Sequence, residues 1–468
     1  MIHCPPIDAD LPSLEERWQG HRMQKAIKVT GINSIEQPHI RSERQSQTLI
    51  EAFLVSGLFF LLLPGTFLGV WNLIGISRRQ ALAALSPAWL EAHGQAQIFG
   101  WVGSFILGIG FYSLTKMQSI RTFPVRKGWA SWSFWTAGVV LRWLGGVTGW
   151  EWRWVLPASG LFELVGFLLF FLTVRKHRPA DGPSGKATWM LLVILSTCVF
   201  LLTLVINAVV LFRLAVSGST PAVPHLLDLQ LVTMAIWGVL VPTIWGFNAR
   251  WLQIFAGFQQ PRPTWLFAAC GISLTGIALV FFDQWGISAL LFVASALTSI
   301  QGLRVWRRAV QPAKVHNIHP SFPHFLRVAY VWLLIASLLG CLAALRDHSG
   351  GLWGASRHAL TVGFVALMVF TIGQRVLPAF CGMRVLWSKE LMFWSLTLLN
   401  LGCLLRVGME PLAYELDWQI AWRLLPVSGV IELTAVTVFA LNLVGTLMQK
   451  PAHLRHASNP VSSAGGLP

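Results

Sequence analysis

The sequence predicts an all-α, polytopic membrane protein with about twelve transmembrane helices in three pseudo-symmetric four-helix units. Three observations predict it. Of the 468 residues, 54% are hydrophobic and only 12% are charged, about half the charged share of a soluble domain. Apolar runs long enough to cross about 30 Å of hydrocarbon recur along nearly the whole chain, and 53–70 and 189–212 are almost free of charge. A histidine also returns at a nearly constant interval: His93, His225 and His358 are spaced by 132 and 133 residues.

Residues 1–46 are polar and charged and read as a cytoplasmic N-terminal tail with no cleavable signal peptide. Spans then fall near 49–74, 93–113, 130–147, 155–173, 188–212, 225–247, 265–281, 286–303, 325–344, 358–379, 390–406 and 421–446. They form a single membrane domain, 47–446, whose repeat units are about 47–178, 187–308 and 325–446. Residues 447–468 read as a disordered C-terminal tail, rich in Ser, Gly and Pro after 457. The net charge of +16 would suggest nucleic acid in a soluble protein. Here the basic residues sit in short loops, so the expected partner is the lipid bilayer and no nucleic acid. They concentrate in the N-terminal tail, the second loop (Lys116, Arg121, Arg126, Lys127), the fourth (Arg175, Lys176, Arg178, Lys186) and the eighth (Arg304, Arg307, Arg308, Lys314). The positive-inside rule then places both termini in the cytoplasm of a multi-pass protein of the bacterial inner membrane. The six cysteines form no CxxC pair, which argues against a disulfide framework or a zinc ribbon.

The repeat extends beyond the histidines. Ala137-Gly138-Val139-Val140-Leu141-Arg142 aligns with Cys270-Gly271-Ile272-Ser273-Leu274-Thr275 and with Leu401-Gly402-Cys403-Leu404-Leu405-Arg406. In the outer units Leu156-Pro157-Ala158-Ser159-Gly160-Leu161-Phe162-Glu163 matches Leu425-Pro426-Val427-Ser428-Gly429-Val430-Ile431-Glu432. The middle unit has Thr275 for the arginine and Ser299 for the glutamate. With an even number of spans per unit, the copies are parallel, related by an axis along the membrane normal.

Ionisable groups inside spans need partners, which makes them candidates for function. His93, His225 and His358 are expected to enter from the outer face, as metal ligands, with Arg142, Arg153, Arg406 and Arg423 at the same level. Imidazole ligates iron and copper, and guanidinium forks suit the propionates of a haem. The arginines read equally as interface anchors. Glu163 and Glu432 read as helix-packing hydrogen bonds or as proton-handling groups. Most tryptophans at this level, Trp101, Trp152, Trp154, Trp353 and Trp422 among them, read as an aromatic belt.

With twelve spans in three four-helix arcs and both ends cytoplasmic, the chain resembles the catalytic subunit of haem–copper oxidases and nitric oxide reductases. His93-Gly94-Gln95-Ala96-Gln97-Ile98-Phe99-Gly100-Trp101 is similar to the histidine-bearing second span of that superfamily, which also uses histidines of its sixth and tenth spans. Arg423 falls in the last outer loop, where the superfamily carries arginines. The closer resemblance is to the NnrS family, haem- and copper-containing membrane proteins tied to nitric oxide and nitrosative stress. It rests on His358-Ala359-Leu360-Thr361-Val362-Gly363 followed by Arg375-Val376. Two departures stand out. Phe380, within Pro378-Ala379-Phe380-Cys381-Gly382-Met383, replaces a family histidine, and the seventh span lacks the paired histidines of an oxidase copper site. The resemblance therefore implies a haem- or copper-binding membrane protein acting in the response to nitric oxide, with His93 and His358 on one metal centre. His225 is then either a lone copper ligand or a vestige. The alternatives are a metal-free transporter or scaffold of the same fold, or a nitric oxide reductase. Neither catalysis nor an electron donor is specified by the sequence.

Overall fold

The computed structural model describes residues 44–81, 85–116, 124–176, 187–382 and 384–450. The N-terminal arm up to residue 43, the C-terminal tail from 451, and Arg121, Arg178 and Lys186 of the basic loops lie outside the described residues.

Among the described residues all regular structure is helical. Joined where consecutive segments abut, it forms α1 (Arg44–Arg79), α2 (Pro87–Gln95, Ala96–Gly103 and Ser104–Lys116), α3 (Val125–Thr148), α4 (Trp152–Lys176), α5 (Thr188–Ser217), α6 (His225–Phe255), α7 (Pro263–Val280), α8 (Trp285–Leu303), α9 (Phe322–Arg346), α10 (Gly351–Phe380), α11 (Lys389–Tyr414) and α12 (Gln419–Met448). All but α2 and α3 are among the ten helices long and apolar enough to cross a membrane. The helices extend past the apolar runs because helical hydrogen bonding continues into the polar ends. Thus α2 starts at Pro87, a residue whose missing N–H suits the first turn, and α10 starts at Gly351. Both put their histidine about two turns inside.

Taken in fours, the helices occupy consecutive arcs. The third and fourth helices of each arc, α3 with α4, α7 with α8 and α11 with α12, make the most extensive contacts in the molecule. The arcs meet where α4 packs on α5 and α8 on α9, and α12 returns to α1, so the ring closes. At that closure Gly429 of α12 faces Val70 and Leu73 of α1. Helices α6 and α10 are the most deeply buried spans, while outer helices present Leu172, Leu202, Val209 and Leu338 outward, as lipid-facing surface requires.

The second helix of every arc contains a π-helical stretch: Ala96–Gly103, Met234–Leu240 and Ala359–Ala366. A fourth, Leu61–Phe67 in α1, has an evident cause. Pro64 lacks an N–H and its ring crowds the preceding turn, and the Thr66 hydroxyl donates to the Leu61 carbonyl five residues back at 2.8 Å. Close packing accompanies the others. A Cβ on Gly103 would stand 2.5 Å from the Trp135 ring, and one on Gly363 2.5 Å from Trp332. Wide π turns are uncommon and recur at functional sites.

The same interhelical contact occurs in the first and third arcs. Glu163 of α4 lies over Gly138 of α3, and Glu432 of α12 lies over Gly402 of α11, with Cγ 2.8 and 2.6 Å from the position of a glycine Cβ. In the second arc Gly271 has open space at that position, and the Ser299 hydroxyl bonds back to Ala296 in its own helix.

Candidate functional site at the head of α2 and α10

The α2 and α10 histidines come together. His93 and His358 lie within electrostatic reach of each other and of Arg406, although they stand far apart in the chain. The His93 ring packs on Gly69 of α1, where a Cβ would meet its Cε1 at 2.6 Å. Its Nδ1–H donates to the Gly65 carbonyl at 2.9 Å. That carbonyl belongs to the π stretch of α1, in which the main-chain bonding pattern is already altered. His358 repeats the arrangement. Its Nδ1–H donates to the Gly354 carbonyl at 2.9 Å and lies 3.3 Å from Glu410 Oε2. In both rings Nδ1 is committed as donor, so the neutral tautomer leaves Nε2 with a bare lone pair. This is how ligating histidines are usually oriented.

Charged groups surround the pair. Arg406 Nη2 donates to Glu410 Oε1 at 3.1 Å, one turn along α11. Glu410 fits only because residue 354 is glycine: a Cβ there would stand 2.2 Å from Glu410 Oε1. Arg406 is buried, yet its Nε and Nη1 have no hydrogen-bond partner among the described residues, and neither does Glu432 Oε1. Unmet donors and acceptors in a buried place are costly, about 1–3 kcal/mol each.

A second charged set adjoins the first. Arg142 of α3 is buried, 3.9 Å from Glu91 Oε2, and its Nη1 also has no partner. Glu91 Oε2 accepts from the Val223 N–H at 3.1 Å. Glu163 takes two hydrogen bonds from Gln95 Nε2, at 3.2 and 3.3 Å. Asp228 lies within reach of Arg142, His225 and Arg357, and Arg357 within reach of Asp228 and Glu410. Acidic and basic groups thus alternate from α2 through α6 to α10 and α11.

Several expected site residues fall elsewhere. His225 is the first residue of α6 and is exposed. The nearly equal sequence intervals conceal a shift of register. His93 precedes its π stretch at 96 by three residues and His358 its stretch at 359 by one, but His225 precedes its stretch at 234 by nine. At about 1.5 Å per residue this carries His225 roughly 9–12 Å outward along the helix. Arg153 is exposed, and its two Nη groups donate to the Ala215 and Gly218 carbonyls at 2.9 and 3.0 Å. It therefore caps the end of α5. Arg423 is exposed one turn into α12. Of the four candidate arginines, Arg142 and Arg406 are the buried ones. Among the tryptophans, Trp154 is exposed as a belt residue should be, whereas Trp101 and Trp422 are buried.

Sequence reading missed Glu91, Asp228, Arg357 and Glu410. Glu410 carried a usable signal, since it stands four residues after Arg406 on a helix and such pairs face each other. Among the described residues, no three His, Cys, Asp or Glu side chains converge as a donor set for a metal ion.

A family model described as a domain of unknown function, DUF8744, matches residues 322–448. That stretch runs from the first residue of α9 to the last of α12, which is the third arc alone. No curated protein matches the chain. The chain is thus similar, over its last four helices, to a family whose function is itself undefined.

Proposed function

We propose that His93 and His358 hold one haem between the first and third arcs, in a membrane protein of NnrS type that serves the response to nitric oxide. The observation that carries this reading is the matched pair of histidines, each with Nδ1 tied to a backbone carbonyl and Nε2 left bare. The surrounding residues fit the same group. The partnerless Nε and Nη1 of buried Arg406 suit a propionate. Glu410 fixes both Arg406 and His358, and so positions the ligand nitrogen rather than contacting the group. A bound haem would supply one-electron chemistry in a low-dielectric site. Copper is not proposed, because two imidazoles find no third protein donor among the described residues.

The three arcs are read as three parallel copies of one four-helix unit. The recurring π stretches, the shared Gly–Glu contact and a family match that begins and ends with one arc support this. An oxidase-like arrangement with both termini in the cytoplasm is part of the same proposal.

A second reading, a metal-free ion or proton transporter, draws on the alternation of acidic and basic groups from Glu91 to Glu410. One experiment separates the two. Protein purified from cells with ample haem supply is examined by absorption spectroscopy and metal analysis. We expect a low-spin, bis-imidazole spectrum that His93→Ala and His358→Ala each change. Protein without haem, or variant spectra identical to the parent, would favour the transporter.

A further inference from the structure

We propose that Arg304 and Arg327, at the junction of α8 and α9, hold the phosphodiester of an anionic phospholipid. The junction lies on the face that carries the basic loops. Arg304 closes α8, and its Nη1 donates to Gln259 Oε1 at 2.9 Å. Arg327 stands near the start of α9. Its Nε donates to the Val305 carbonyl at 3.3 Å, and its Cζ lies 4.8 Å over the Phe258 ring. The adjacent residues 258 and 259 therefore seat the two guanidiniums side by side, and Val305, next to Arg304, ties the pair together from α8.

Neither guanidinium meets a carboxylate. The ion pairs among the described residues involve Arg142, His358, Arg384 and Arg406. Between Asp228 and Asp347 the only acidic residue is Asp283, in the turn from α7 to α8 at the opposite face. Glu51 and Glu390 share the basic face, but Arg384 engages Glu51 and Glu390 makes no ion pair with either arginine. Arg304 Nε is buried without an acceptor, a costly state for a charged donor. Arg304 also has φ 55, the left-handed place after a helix that glycine favours, so α8 itself gains nothing from an arginine there. The positive-inside rule accounts for basic loops in general. Loop charge of that kind needs no fixed seat, and these two side chains have one.

Phosphate is the anion that matches. Guanidinium forks suit its oxygens, and basic pockets between membrane helices take phospholipid headgroups. The surroundings favour a lipid over a soluble phosphate. Trp306, just past Arg304, is 49% exposed, as an aromatic at headgroup level should be. Deeper in the membrane, α8 presents Leu297 outward and α9 presents Val331. These stand roughly 10 and 6 Å along their helices from Arg304 and Arg327, where acyl chains would lie below a headgroup held by the pair. The proposal is independent of the haem reading, because lipid binding can be measured on protein of any metal content.

The test uses the purified full-length protein, delipidated in neutral detergent, with phosphatidylglycerol, phosphatidylcholine or inorganic phosphate added. Native mass spectrometry counts bound lipid, and thermal unfolding reports stabilisation. We expect a single tightly held phosphatidylglycerol per chain, a higher melting temperature with that lipid, and neither effect from phosphatidylcholine or inorganic phosphate. Arg304→Gln with Arg327→Gln should weaken phosphatidylglycerol binding at least about tenfold, while Arg307→Gln with Arg308→Gln, which removes the same loop charge, should change it about twofold or less. Arg304→Gly suits the left-handed backbone, so it should melt within a few degrees of the parent in neutral detergent and still lose the response to the lipid. Equal binding of phosphatidylcholine, inorganic phosphate competing as well as the lipid, or equal losses in the two double variants would overturn the proposal.

Discussion

Gly354 has no room for a methyl group, because the carboxylate of Glu410 already occupies the place where a Cβ would go. Helix propensity alone favours alanine there by about 1 kcal/mol. The contact predicts the opposite sign: Gly354→Ala should lower thermal stability by about 1–3 kcal/mol, as overpacking does, and, on the proposed haem reading, should also lower haem content as Glu410 swings away from His358. A more stable, fully loaded variant would refute this. On the same proposed reading, Arg406→Gln should reduce haem retention, while Arg423→Gln and Arg153→Gln should leave it unchanged; haem per chain measures all three. At this scale the sequence is half legible. His93 and His358 announce themselves because ionisable groups inside apolar runs are rare. Their partners do not, because Glu410, Gly65 and Gly69 come from other stretches of chain and only the fold decides which meet. For Arg153 the sequence left both readings open, because an arginine near a span end looks the same whether it faces a cofactor or the frayed carbonyls of a neighbouring helix.

Helices were the most readable feature, since run length and hydrophobicity settle them before packing does. Each predicted span falls on one helix, and the errors lie at the ends, where α2 and α10 start six or seven residues early. Those extra turns put His93 and His358 about two turns inside their helices rather than at the first residue. The π stretches were not legible, because a widened turn depends on what presses against the helix. The α3–α4 and α11–α12 seams depend on Gly138 and Gly402, each covered by a glutamate. Gly402→Val should separate α11 from α12 and destabilise the protein by about 1–3 kcal/mol, whereas Gly271→Val, with open space at its Cβ, should be nearly neutral. Thermal unfolding in detergent reads both, and equal effects would deny that the seam is special. The start of α10 has its own anchor: Asp347 accepts from the N–H groups of Ser349, Gly350 and Trp353 at 3.2, 2.6 and 2.6 Å. Its first turn therefore holds Gly354 and His358 in place.

At the scale of the whole molecule, the positive-inside rule predicts the orientation from the basic loops. Reporter fusions after Arg308 should read cytoplasmic and one after Arg213 periplasmic; the reverse pattern would put the histidine pair on the opposite side of the membrane. The threefold periodicity was legible as spacing, yet spacing counts residues and not turns, which is why His225 looked equivalent to the other two. The arcs of the second and third units differ in where the histidine sits relative to the π stretch, and only a register defined in space exposes that.

Arg384 binds both ends of the membrane domain at once. Its Nη1 pairs with Glu51 near the start of α1, and its Nε donates to the Gln449 carbonyl just past α12 at 2.9 Å. The first and last helices thus finish side by side on one face, and the order in which the ring is synthesised is not fixed by its shape. A circular permutant should exploit this. With residues 44 and 450 joined by a short flexible linker and new termini opened between α8 and α9, near residues 308–316, the chain would begin with the third arc. We expect it to insert, to fold to within a few degrees of the parental melting temperature, and to bind whatever the parent binds. Failure to accumulate in the membrane would mean that the arcs must be made in their present order, and that the closed ring has a true beginning.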